Sequence, residues 1–388
     1  MSKVNKAFVL QDIKSVSFED RPVPPLSDDH QVRVHVKQTG ICGSDVHFWQ
    51  RGRIGDFVVT GPMVLGHESA GVVAEAGPSV RNVKAGDRVA IEPGVPCRRC
   101  DHCRCGDYGL CADIVFAACP PCPDGTLQTY YSVASDYVYP LPDHVTDEEG
   151  ALVEPVAVAV QICKVADLRA GQTVLVFGCG PIGVLAQAVA KASGADKVIG
   201  VDISESRARF AREFGADGVF LNTERPGPGA DPVDFASAVA ERIKAEHGLG
   251  EGADVVLECT GAEPCIQTGV FAARKGGTYV QAGMGRENVV FPITTACVRA
   301  LTIKGSIRYS FGCYPQAIRL IASGKVQPSK LITHRFKFEQ AEEAFKLVRR
   351  AEENTLKVII EGVQLSKMSA NNVYLTTTST MKPNMSLS

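Results

Sequence analysis

The sequence predicts an α/β protein in which a mainly-β domain, assembled from both ends of the chain, accompanies a doubly wound parallel-sheet domain. Three observations predict it. The chain has 388 residues, more than one ordinary hydrophobic core accommodates. From Val32 to about Glu92, short β-type runs ("VRVHVKQTG", "SAGVVAEAG", "DRVAIEPG") are separated by Gly and Pro, as in a sheet with many turns. After about Pro155 buried strands alternate with helices, the pattern of a parallel sheet.

Taken in order, residues 1–155 form the mainly-β part. Residues 156–299 form the parallel-sheet domain: "QTVLVFGCGPIGVLAQAVAKASGADKVIGVD" reads as strand, helix and strand, "RARFAREFG" as a helix, and "ADVVLECTG" and "GGTYVQAGMG" as further strands. Near Ala300 this rhythm stops. The segment 300–362 holds about sixty residues, which bury a core poorly on their own, so it is expected to rejoin the N-terminal domain. Residues 363–388, rich in Ser, Thr and Asn and without periodicity, are expected to be a disordered tail.

Composition excludes several classes of function. With 41 basic against 43 acidic residues and no long block of one sign, nothing selects a nucleic acid or an anionic membrane as partner. The longest apolar tract, "VLVFGCGPIGVLAQAVA", is broken by three glycines, a proline and a glutamine, so it reads as strand, turn and helix and not as a membrane span. "MSKVNKAFVLQDIKSVSF" lacks the apolar run of a secretory signal, and a cytoplasmic protein is expected. Its 14 cysteines are therefore expected to be free or metal-bound.

Five of them lie in "CRRCDHCRCGDYGLC". Cys97, Cys100 and Cys103 begin like a ferredoxin motif, but that motif requires a fourth cysteine after three residues and then a proline, which neither Cys105 nor Cys111 satisfies. Four thiolates in one loop suit a closed, tetrahedral structural Zn²⁺; the plain alternative is a reduced, metal-free loop. Seven residues separate Cys103 from Cys111, enough to fold back, whereas Cys105 is nearly adjacent to Cys103. The predicted ligands are Cys97, Cys100, Cys103 and Cys111, with Cys105 and His102 outside. A second set is scattered: Cys42 in "GICGSDVHFW", His67 and Glu68 in "VLGHESAG", and Glu154 in "ALVEPVAV". Singly each is more often a core or hydrogen-bonded residue; together they suit an open catalytic zinc.

"GCGPIG", spanning Gly178, Gly180, Pro181, Ile182 and Gly183, follows the strand "TVLVF" and opens a helix, the context in which a glycine turn cradles a pyrophosphate. "KVIGVD" ends in Asp202, placed to accept hydrogen bonds from the adenosine ribose and to repel a 2′-phosphate, so NAD is expected over NADP. Arg207, five residues on, is read as flanking the adenine.

"GICGSDVHFW", "GHESAG", "GDRVAIEPG", C-x2-C-x2-C-x7-C, "EP" at 154 and "GCGPIG", in this order from about Lys6 to Glu361, resemble the zinc-dependent medium-chain dehydrogenase family. "DVHFWQRGRIGDFVV", "GALVEPVAVAV" and "GSIRY" look most like its polyol branch. The resemblance implies a GroES-like catalytic domain, a Rossmann domain, NAD, and two Zn²⁺ per chain. It implies Cys42, His67 and Glu68 around the catalytic zinc, with Glu154 bound directly or through water. It further implies Ser44 and His47 on a proton path, Arg308 hydrogen-bonding the substrate beside Tyr309, Phe48 and Phe116 as apolar walls, and a homo-oligomer, a tetramer. The implied reaction is reversible oxidation of a polyol such as xylitol or sorbitol at a secondary alcohol, giving D-xylulose or fructose. Oxidation of L-arabinitol is a neighbouring alternative. The sequence departs from the branch at Phe48, usually tyrosine, and Cys119, usually threonine. A zinc-free NADPH quinone or enoyl reductase and a nucleotide-binding structural protein are the rivals; neither needs Cys42, His67 and Glu154 together.

Overall fold

The computed structural model describes residues 4–120, 124–350, 352 and 354–365. Two large sheets organise the chain. The first is mainly antiparallel, with strands in the order Val138–Pro140, Arg88–Ile91, Glu68–Ala76, Gln31–Gly40, Lys357–Glu361 and Ile332–Phe336; Tyr130–Ala134 also pairs with Gln31–Gly40. The C-terminal strands thus complete the N-terminal sheet, with Gly40 opposite Ile359 on one side and Glu68 on the other. The second sheet is wholly parallel, in the order Gly218–Leu221, Lys197–Asp202, Thr173–Phe177, Ala253–Glu258, Ala273–Gln281 and Thr302–Gly305. Its central strands are continuous apolar runs because helices cover both faces.

Two expected boundaries move. The strand Thr302–Gly305, assigned from sequence to the segment that rejoins the first domain, is the sixth strand of the parallel sheet, paired in register from Thr278 with Thr302 to Gln281 with Gly305. It is an edge strand with Thr302, Ile303 and Gly305 exposed, so it lacks the apolar run that marks its inner neighbours. The expected break at 155 falls inside the helix Val153–Val165. That helix lies in one core cluster with Ala70 and Ala90 of the first sheet and Val174, Val184 and Val189 of the second domain. Val156, Ala157 and Ile162 are fully buried there. At about 1.5–3 kcal/mol per fully buried aliphatic side chain, this helix bonds the two layers.

The first residue assigned from sequence to the tail packs on the first domain. Val363 is buried, and its carbonyl lies 3.1 Å from His35 Nε2. The disorder expected for the remainder concerns residues 366–388, which lie outside the described residues. Among the described residues no helix is long and apolar enough to cross a membrane.

Candidate active site and metal centres

Cys42 is the residue before the helix Gly43–Arg51, and His67 and Glu68 stand at the start of the strand Glu68–Ala76. The fold brings one ligand atom of each within 4.8 Å of the others. His67 is buried, and its Nδ1 lies 3.3 Å from Asp45 Oδ1 without an aligned hydrogen bond. Burial lowers the imidazole pKa, but Asp45 and then Cys42 outweigh it and hold it well above the ordinary value. The pocket is therefore built for positive charge. A soft thiolate, an imidazole backed by a carboxylate, and a second carboxylate fit zinc in chemistry and spacing.

Glu154 sits in the first turn of Val153–Val165, outside the 4.8 Å group but close enough to interact with it. Burial pushes its carboxyl up to about 7; His67 opposes this and Glu68 adds to it. The segment after Thr302–Gly305 delivers Arg308, whose left-handed backbone (φ 49°) turns the chain. The guanidinium stacks 4.6 Å from the Phe116 ring centroid and 5.5 Å from that of Phe57, and donates to Cys119 Sγ at 3.7 Å. Phe116 in turn meets the His67 ring edge-on at 5.7 Å. Arg308 has no ion-pair partner among the described residues, so its remaining donors are available to a ligand beside His67. Tyr309 is buried against Tyr314 (5.1 Å between centroids), its hydroxyl without an aligned partner. Ser44 and His47 are half-buried on the helix that starts at Cys42. Burial, then Arg51, lowers the His47 pKa. Phe48 is buried in the cluster with Trp49, Met63 and Leu65, against which Cys119 also packs.

The cysteine loop gathers Cys97, Cys100, Cys103 and Cys111, again with all four sulfurs within 4.8 Å of one another. The Cys100–Cys103 and Cys97–Cys103 separations are 3.4 and 3.9 Å. They bracket the edge of about 3.8 Å that a tetrahedron with Zn–S bonds of about 2.3 Å requires. The backbone N–H groups of Arg99 and Cys100 donate to Cys97 and hold its thiol down to about 6, toward the thiolate that binds metal. Cys105 is exposed and outside the group, as is His102.

At the carboxyl end of the parallel sheet, Gly178 (φ 94°) turns the chain into the helix Pro181–Ala192. A Cβ on Gly183 would lie 1.8 Å from the Gly178 carbonyl oxygen, whereas one on Gly180 would meet nothing within 4 Å. The turn is thus closed on its inner side and open at the helix N-terminus, where Pro181 and Ile182 are half-buried, and a pyrophosphate fits that cradle. Asp202 Oδ2 accepts from the Cys179 N–H (2.7 Å), and Oδ1 from Ile203 and Ser204 (2.8 and 2.9 Å), which fixes the carboxylate at the strand end with acceptor capacity left for a ribose. Arg207 is near enough to Cys179 of that turn to act on its thiol electrostatically, and it lines a cavity with Phe210, Thr333 and Leu356.

Two residues of the site went unassigned in the sequence. Asp45 also accepts from the Gly66 N–H at 3.1 Å, orienting the loop that carries His67. Lys357 reaches Glu68 Oε1 and Oε2 at 2.8 and 2.7 Å and the Ile41 carbonyl at 3.1 Å. Asp45 lies in a quoted motif and was open to assignment as the partner of His67; Lys357 carries no local signal.

Residues 28–143 match the alcohol dehydrogenase GroES-like domain, and residues 181–323 the zinc-binding dehydrogenase domain. The chain belongs to the zinc-dependent medium-chain dehydrogenases. Its relatives lie in the polyol branch. It is 51% identical over 361 residues to a probable D-xylulose reductase A of Arthroderma otae, covering 92% of this chain and 98% of that one. It is 50% identical over 360 residues to D-xylulose reductase A of Aspergillus niger, covering 92% and 97%. Among solved structures, L-idonate 5-dehydrogenase of Escherichia coli is similar at TM-score 0.82 and 28% identity (92% and 98% covered). 2R,3R-butanediol dehydrogenase of Bacillus subtilis is similar at 0.80 and 29% (92% and 100% covered).

Proposed function

We propose that the chain is an NAD- and zinc-dependent polyol dehydrogenase, interconverting a sugar alcohol such as xylitol or sorbitol with its ketose through a secondary alcohol. One observation carries the reading. The Cys42–His67–Glu68 group and the Arg308 guanidinium are brought to the same pocket, His67 and Arg308 both packing on Phe116. Zinc, when bound there, supplies Lewis-acid polarisation of the alcohol oxygen, and NAD supplies the hydride acceptor.

The chain's own residues do the rest. Arg308 binds the hydroxyl next to the reacting carbon, a group that polyols have and simple alcohols lack. Phe57 and Phe116 hold the guanidinium between their rings. Ser44 and His47 carry the proton away by way of the nicotinamide ribose, burial favouring the neutral, accepting form of the His47 imidazole; Glu154, its carboxyl pushed up to about 7, is the alternative proton carrier. The four-cysteine loop serves stability, since a closed tetrahedral site has no place for substrate. The thiolate ligand sets suit a reducing cytoplasm. As a homo-oligomer, a tetramer by family resemblance, the chain would bury the edge strand Thr302–Gly305, with Ile303 exposed (44%), and the preceding helix Ile293–Val298, with Ile293 (61%) and Val298 (74%) exposed.

The test is a panel of polyols and simple alcohols with NAD, read as NADH absorbance, for the wild type and Arg308→Ala. Loss of a hydrogen bond from a charged donor predicts a fall of about 10- to 100-fold in kcat/KM for xylitol or sorbitol, and a much smaller one for 2-butanol. Equal losses would assign Arg308 to the cofactor or the fold. Efficient ethanol turnover would remove the protein from polyol chemistry.

A further inference from the structure

Asp202 and the Gly178–Gly183 turn account for the adenosine and pyrophosphate half of a dinucleotide. The other half has to run past Thr173–Phe177, over the carboxyl ends of Ala253–Glu258 and Ala273–Gln281, toward the side from which Arg308 enters the metal pocket. At those ends the turns 259–262 and 282–285 lie backbone against backbone. A Cβ on Gly283 would sit 2.2 Å from the Gly261 nitrogen, and one on Gly285 1.9 Å from the Gly261 oxygen.

Glu258, fully buried, lies beneath both turns. Its carboxylate accepts from the Thr260 N–H (2.9 Å), the Thr260 hydroxyl, the Gly261 N–H (2.8 Å) and the Gln281 amide (2.7 Å). Gln281 also donates to the Gly283 carbonyl at 2.8 Å and accepts from the Tyr279 hydroxyl at 2.7 Å. No Lys, Arg or His among the described residues forms an ion pair with Glu258. A buried carboxylate is costly unless its acceptor sites are filled; here three donors come from the turn 259–262 and the fourth from Gln281, which in turn holds the Gly283 carbonyl of the turn 282–285, while the Ala282 and Gly283 N–H groups donate to the Glu258 backbone carbonyl (2.9 and 2.8 Å). The network ties both turns to one point, and a shift of either would leave it partly unmet.

We propose that Glu258 is a positioning residue for the nicotinamide half of the cofactor: it fixes the two turns that frame that half, without touching it. This rests on the NAD-dependent reading. Glu258→Gln keeps the shape but turns an NH₂ toward N–H groups that need an acceptor. Full-length wild type and variant are titrated calorimetrically with NADH and with ADP-ribose, which shares everything but the nicotinamide. The expected result is a Kd for NADH raised about tenfold or more, with that for ADP-ribose within about twofold. If Glu258→Gln does not fold, Gln281→Met, which removes one arm of the network, carries the test with the same selective loss. Equal weakening of both ligands assigns Glu258 to the fold, and weakening of neither removes its role; either overturns the proposal. A wild type that binds neither ligand overturns the NAD reading, and the proposal with it.

Discussion

Lys357→Met deletes an ammonium while keeping most of its aliphatic stem, and the structure sets what that costs. The Lys357 side chain is 5% exposed and that of Glu68 1%. All three directions of the ammonium are used, two on the Glu68 carboxylate and one on the Ile41 carbonyl. A Cβ on Gly40 would lie 2.3 Å from Glu68 Oε2, so only glycine there leaves room for the carboxylate. Removing one member of such a pair strands the other in a dry site, a loss of about 3–5 kcal/mol. Neutralising the stranded partner as well, in Lys357→Met/Glu68→Gln, leaves an amide that is short of partners and should reduce the loss to about 1–3 kcal/mol. Trp49, the sole tryptophan, is buried on the helix that follows Cys42, so its fluorescence in a urea titration reports unfolding of this region. Chelator-treated protein gives the full cost. With zinc at Cys42 and His67, a second cation lies within reach of Glu68 and the cost of the single substitution should shrink. A single-variant loss below about 1 kcal/mol without metal, or a double variant worse than the single, would refute the stranded-charge account.

Glu92 gives a pH-dependent prediction. It is fully buried, accepts from the hydroxyls of Tyr108 (2.6 Å) and Tyr139 (2.7 Å), and burial raises its pKa from 4.5 to about 7 against those two bonds. The folded state therefore keeps a proton that the unfolded chain has lost. This contribution to stability is complete below about pH 4.5 and is lost as pH rises to about 7, in all about 3 kcal/mol at about 1.4 kcal/mol per pH unit. Glu92→Gln should flatten stability against pH across that window in urea titrations; an unchanged slope contradicts it. Cys100→Ser should lower bound zinc from about two to about one per chain and reduce the melting temperature, because a structural site contributes folding free energy. His67→Ala should retain the loop zinc and a folded protein while abolishing turnover. Wild-type protein that is fully active with a single zinc would refute the assignment of the loop.

Much of this protein is local in sequence. The C-x2-C-x2-C-x7-C spacing closes a small loop, so which cysteines meet follows from chain length alone, and Cys105 is excluded by adjacency. The glycine turn between "TVLVF" and its helix is likewise a contiguous device, and its strand, turn and helix are where the sequence places them. Cys42, His67 and Glu68 were legible only as a combination, since each alone reads as an ordinary core residue.

What the sequence determined by itself is the set of short-range patterns: two sheets of different kind, a nucleotide turn, a thiolate loop and a list of candidate ligands. The tertiary structure decided the partners of the buried charges. Lys357 meets Glu68 across 289 positions because the strand Lys357–Glu361 enters the first sheet beside Gln31–Gly40, and no local spacing encodes that. Thr302–Gly305 is a strand of the parallel sheet because Ala273–Gln281 offers it an edge, although its own residues are too exposed to announce it. Glu258 looks like the end of one more apolar strand until Thr260, Gly261 and Gln281 converge on it. A buried charge must be compensated wherever the fold places it, so its partner is a property of the packed chain and not of the neighbouring sequence.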